Sequence, residues 1–133
     1  MIERADAISG WWEYQRLAAG SREERKALER GAPAQAVAGH AYVADAVSRG
    51  GTDALVLLEE LNDENPLDNG ASVGAGPLED LLHEHGDDLI DAVDERARRS
   101  PSFARALSHV WLDEGRLRAE TMQRLTQRTQ STG

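Results

Sequence analysis

The densest run of side chains able to do chemistry is His83-Glu84-His85 with Asp87-Asp88, two imidazoles and three carboxylates within six residues. Such a run offers ligands for a divalent cation, or an acid–base pair. Helical spacing divides it. Residues three or four apart share a helix face, whereas i and i+2 diverge by about 200°. His85 therefore falls with Leu78 and Leu81, and His83 with Glu79. The sequence predicts a buried His85 near a helix end, an exposed, ion-paired His83 and no metal site between them. The zinc pattern His-Glu-x-x-His is absent, since residue 86 is Gly and the second His directly follows the Glu.

Other candidates are weaker still. Residues 63–76 are acidic and turn-rich, which invites a calcium reading. Aligning Gly70 with the obligatory glycine of the twelve-residue calcium loop puts Leu67 at the third ligand position and Gly76 at the place of the bidentate Glu. His40 on an Ala/Val stripe, Tyr42 beside it, and His109 near Arg105 are lone side chains, expected as one core and one exposed histidine. Gly74-Ala-Gly76 before a helix suits a phosphate, but Glu79 and Asp80 occupy that first turn and no Lys or Arg is near, so a plain turn is expected. No Gly-x-Ser-x-Gly, Walker or dinucleotide fingerprint occurs, and no cofactor is expected. The chain has no Cys, so it holds neither disulfide nor thiolate.

The charge distribution says more. Residues 1–31 balance six acids with six bases, residues 32–95 hold fifteen acids against Arg49 alone, and residues 96–133 hold eight bases and three acids. A centre that acidic repels nucleic acid and membrane surfaces. It attracts cationic partners over the Debye length, about 8 Å in physiological salt. The opening residues mix acids and bases with no apolar core behind them, and no stretch approaches the roughly 18 apolar residues of a membrane span, so a cytoplasmic protein is expected.

The elements that must position these groups are helical. The chain has 133 residues, 40% of them hydrophobic, with only three Trp, two Tyr and one Phe, so Leu, Val, Ile and Ala must build the core. Residues 2–19 carry an apolar face with Ile8, Trp11 and Trp12, ended by Gly20. Ser21-Arg-Glu-Glu24 is a capping box for a short charged helix. Residues 34–49 place Ala36, His40, Val43, Ala44 and Val47 on one stripe, stopped by Gly50-Gly51, and Thr52 caps an apolar helix over 53–64. Residues 65–76 read as a long loop near the usual limit for compact domains. Three short helices follow: Pro77 to a Gly86 cap, Asp87 or Asp88 to Arg99 with an Asp94–Arg98 pair, and Ser100-Pro101 to Trp111. Residues 114–128 form a marginal helix in need of a partner surface. No segment alternates with period two. The expected fold is all-α, a compact bundle or short solenoid-like stack of about six or seven short helices, in one domain over 1–126 with a disordered tail at 127–133.

Gly76-Pro-Leu-Glu-Asp-Leu-Leu82, His85-Gly86, Phe103, Ala106-Leu107 and Val110-Trp111 together resemble a bacterial family of small uncharacterised helical proteins with that Gly-Pro-Leu-Glu-Asp-Leu-Leu signature. The likeness covers about residues 74–111. It implies a bacterial helical domain and carries no reaction.

The function expected is non-enzymatic: an acidic module that binds a basic protein partner, for instance an immunity or antitoxin-type inhibitor covering a basic nuclease. The partner-binding residues expected are Glu59, Glu60, Asp63, Glu64, Glu79, Asp80, Glu84, Asp87 and Asp88. Trp11 joins them, because one core rarely buries two adjacent indoles fully. The alternatives are a structural or assembly subunit, and a small enzyme with an acid–base or metal site near His83 and His85. Direct binding of nucleic acid or membrane is not expected.

Overall fold

The computed structural model describes residues 2–64, 71–113 and 115–131, and the regular elements among them are all helical. They are α1 (Arg4–Ala18), α2 (Arg22–Glu29), α3 (Ala34–Arg49), α4 (Gly51–Asp63), a single turn α5 (Ala71–Val73), a wide turn over Gly74–Leu78, α6 (Glu79–Arg99), α7 (Pro101–Leu107) and α8 (Ala119–Ser131). The protein is all-α, as its periodicity predicts. The chain divides into two compact units, Met1–Asp45 and Ala46–Gly133.

In the first unit, α1 and α3 approach backbone to backbone. A Cβ on Gly39 would lie 2.5 Å from the Ala7 carbonyl oxygen and 2.6 Å from the Trp11 nitrogen, and one on Gly10 would overlap the Gln35 carbonyl. Glycine at both positions permits this crossing, and the Gln35 amide donates to the Asp6 carbonyl oxygen at 3.2 Å. The crossing also corrects the expectation for Trp11. Trp11 is 2% and Trp12 7% exposed, with their rings edge to face at 4.8 Å between centroids. The perpendicular arrangement suits the ring quadrupoles, and at 2% exposure Trp11 presents almost no surface to a partner. The capping box of α2 forms as expected, Ser21 Oγ accepting from the Glu24 N–H and Glu24 Oε1 from the Ser21 N–H.

The second unit is built on α6, against which α4, α7, α8 and the wide turn pack. Helix α4 contributes Ala54, Leu55, Leu57, Leu58 and Leu61, all buried. Each buried leucine is worth about 1.5–3 kcal/mol of transfer free energy. Next to Leu61, buried Asn62 donates through Nδ2 to Ser102 Oγ of α7 at 2.6 Å. Ser102→Ala leaves that amide without its acceptor and is expected to cost about 1–2 kcal/mol in urea unfolding, more than the loss of one exposed hydroxyl.

Several local expectations are overturned. Gly86 does not end a helix: α6 runs unbroken for 21 residues, with Gly86 buried at its middle. Its missing side chain admits Leu117, whose Cδ2 would lie 3.1 Å from a Cβ at that position. Packing thus outweighs the roughly 1 kcal/mol that glycine costs inside a helix, and Asp87 and Asp88 are interior helix residues, not caps. Thr52 is not the cap of α4, which starts at Gly51 after Gly50; both have positive φ, +80° and +72°. Of the expected loop, 65–70 lie outside the described residues, while 71–76 are helical, with a kink at Gly76. Helix α7 keeps its Ser100 cap and first-turn Pro101 but stops at Leu107, short of Trp111. Helix α8 runs from Ala119 to Ser131. Its support is α6: Leu125 is fully buried, and Arg124 reaches both Asp91 and Asp94.

Candidate functional site

The polar side chains of α6 divide into two faces with different tasks. Every fourth residue on one face, Glu79, His83, Asp87 and Asp91, takes hold of the chain that follows α7. Glu79 Oε1 accepts the Trp111 N–H at 2.6 Å, His83 Nε2 accepts the Asp113 N–H at 2.9 Å, and Asp87 Oδ1 accepts the Arg118 N–H at 3.0 Å. Arg118 returns a guanidinium bond to the Asp87 carbonyl at 3.1 Å. Further along, Arg124 donates to Asp91 at 2.8 Å and through Nε to Asp94 at 2.9 Å. A segment without regular structure needs partners for its backbone N–H groups, and here α6 side chains supply them. The same bonds explain why α7 ends early: the Trp111 N–H turns to a carboxylate.

This assigns His83 a role that the sequence does not predict. It is a backbone acceptor in place of an exposed, ion-paired histidine. Its Nε2 must be unprotonated to accept, so His83→Phe, which keeps the ring volume and removes the acceptor, is expected to speed amide exchange at Asp113 while α6 amides away from the contact keep their rates. His85 is half-buried, with Nε2 3.1 Å from the Ser48 carbonyl oxygen and 3.8 Å from Glu84. Its ring lies over Gly50, where a Cβ would come within 2.7 Å of it. The two imidazoles thus serve different backbone contacts on different faces. No group of three or more His, Asp or Glu able to hold a metal occurs among the described residues.

Asp87 is the best anchored carboxylate of the ladder. The Arg118 N–H, then a side-chain bond from Thr121, hold its pKa below the ordinary 3.8. A depressed carboxylate contributes stability that is complete above its unfolded value and lost as pH falls through the folded one. Exchange of the Arg118 amide, corrected for intrinsic rates, is therefore expected to hold steady down to about pH 4 and to rise only below 3.8.

The remaining acids stand apart from the ladder. Asp80, Glu84 and Asp88, again four residues apart, are exposed on an adjoining face of α6. At the end of α4, Asp63 and Glu64 are exposed, while Glu59 is ion-paired with Arg96 of α6 and Glu60 is half-buried. Desolvation, and after it the charges of Glu59, Glu60 and Glu64, raise the Asp63 pKa. Of the nine acids expected to bind a partner, Glu59, Glu79 and Asp87 are thus engaged within the fold. Trp11 is buried, and among the described residues the large hydrophobic side chain left exposed is Trp111, at 76%.

The ladder, the two faces of α6 and the buried face of α4 all belong to the second unit, Ala46–Gly133. A family model described as a family of unknown function, DUF6869, matches residues 46–132, the whole of that unit but its last residue. The chain belongs to the DUF6869 family. The match takes in α4, α6, α7 and α8, and residues 1–45 precede the DUF6869 region. No curated protein and no solved structure matches the chain. No described helix is long and apolar enough to cross a membrane.

Proposed function

We propose that this DUF6869 protein is a non-enzymatic module, cytoplasmic and bacterial, that docks a cationic partner protein through the exposed acidic face of α6 and the acidic end of α4. The observation that carries this reading is the division of labour on α6. Glu79, Asp87, Asp91 and Asp94 hold the fold together, and Asp80, Glu84 and Asp88 lie exposed beside them at helical spacing. Carboxylates displayed at that spacing on a rigid helix raise the local negative potential, steer a basic surface into contact and disfavour acidic ones. An inhibitor that covers the basic cleft of a nuclease is one concrete form of such a module.

Native-host expression of the tagged protein, with mass spectrometry of co-purifying proteins at low and high salt, tests it. A stoichiometric basic partner released by salt is expected; a partner held equally at both salts counts against electrostatic docking.

A second reading, an assembly subunit, is favoured by the exposed indole of Trp111. Sedimentation tests it: a monomer independent of concentration up to high micromolar levels counts against it, and dimerisation abolished by Trp111→Ala supports it.

A further inference from the structure

We infer that Trp111, with the exposed carboxylates of Asp80, Glu84 and Asp113 near its anchor points, forms a docking surface for an arginine side chain of the partner protein. This deepens the proposed function and rests on it.

Trp111 is the large hydrophobic side chain left exposed among the described residues, at 76%. Its backbone is nevertheless fixed. Val110 before it is buried, its own N–H is held by Glu79, and two residues on the Asp113 N–H is held by His83. An indole presented from a backbone tied on both sides loses little further freedom on binding, which suits an interface anchor.

The surroundings select the occupant. Glu79, which holds the Trp111 amide, is followed on α6 by exposed Asp80 and one turn later by exposed Glu84, and Asp113 is itself exposed. A purely apolar partner would have to desolvate these carboxylates without compensation. A guanidinium satisfies both features at once, stacking its plane on the indole while its N–H fork meets carboxylate oxygens. A lysine ammonium is a more strongly hydrated point charge without that planar match, so arginine is the better fit.

The test uses the full chain labelled at its tryptophan indoles and titrated with octa-arginine and octa-lysine peptides at low salt. Three indole N–H resonances report separately, with buried Trp11 and Trp12 as internal controls. Octa-arginine is expected to move the Trp111 resonance alone and to bind more tightly than octa-lysine. Trp111→Ala is expected to weaken octa-arginine about 3-fold and to bring the two peptides to parity. Unmoved Trp11 and Trp12 signals in that variant establish that it is folded.

Octa-arginine binding that is lost on reversing Asp80, Glu84 and Asp88 but unchanged by Trp111→Ala would overturn the arginine site while leaving the acidic docking face in place. Absence of binding by either peptide would overturn both. Trp111-dependent self-association in the absence of peptide would give the indole to a second copy of the chain and likewise overturn the inference.

Discussion

Gly74→Ala is expected to destabilise the DUF6869 region by about 3 kcal/mol or more, lowering its melting temperature by roughly 10–20 °C. A Cβ at Gly74 would overlap the carbonyl oxygen of Ala106 in α7 and lie 3.0 Å from the His109 Cβ. The obstacle is backbone, so no rotamer change relieves it; the wide turn and α7 would have to separate. That separation would open the packing around Phe103, Ala106 and Leu107, all buried. Ala75→Ser, one residue along at an exposed position, is the matched control and should leave the transition almost unchanged. Thermal unfolding followed by circular dichroism reads both, and equal melting temperatures for the two variants would mean that the turn does not run against α7.

The second large effect is on association. Reversing Asp80, Glu84 and Asp88 to lysine changes the local charge by six units on a face that holds no part of the described segment 111–118. Association with a cationic partner is expected to slow by ~10- to 100-fold at low salt, with a much smaller change at high salt. Dissociation should respond less, because steering acts before contact. The comparison that gives this its force is Glu79→Lys with Asp87→Lys. Those reversals remove acceptors of the Trp111 and Arg118 N–H groups, and the second places a cation beside Arg118, so they are expected to loosen the 111–118 segment and lower stability. If both sets lowered stability alike and affected binding alike, the two faces of α6 would not be functionally distinct.

The helical class was legible because the signals for it are local. Ser21 with Glu24 and Ser100 with Pro101 are caps whose chemistry lies within four residues, and both form. The apolar run of α4 also states its own burial. Gly86 was misread because a glycine that stops a helix and one that admits a neighbour look alike in sequence; the deciding atom, a Leu117 methyl, comes 31 positions later. The expected helix from Ser100 to Trp111 continues a period past the point where Glu79 captures the Trp111 N–H. The burial of both Trp11 and Trp12 is hidden for a related reason: the sequence does not show that Gly10 and Gly39 bring the backbones of α1 and α3 together beside them.

The acids taught a similar lesson. Their number in residues 32–95 was plain, but their employment was not, since a carboxylate that accepts a backbone N–H from thirty residues away reads the same as one facing water. One clue was present. Glu79, His83, Asp87 and Asp91 recur every four residues on a helix that is followed by an irregular segment with N–H groups to satisfy. That period separates them from Asp80, Glu84 and Asp88, and it supplies the strongest reason for assigning the two sets different tasks.

The most direct test of the account compares what co-purifies, at low salt and from the native host, with the tagged wild-type chain and with the folded Asp80→Lys, Glu84→Lys, Asp88→Lys variant. A stoichiometric basic protein is expected with the wild type, released by high salt and not retained by the variant. Equal recovery of that protein by the variant, or recovery of a partner without a basic surface, would contradict it.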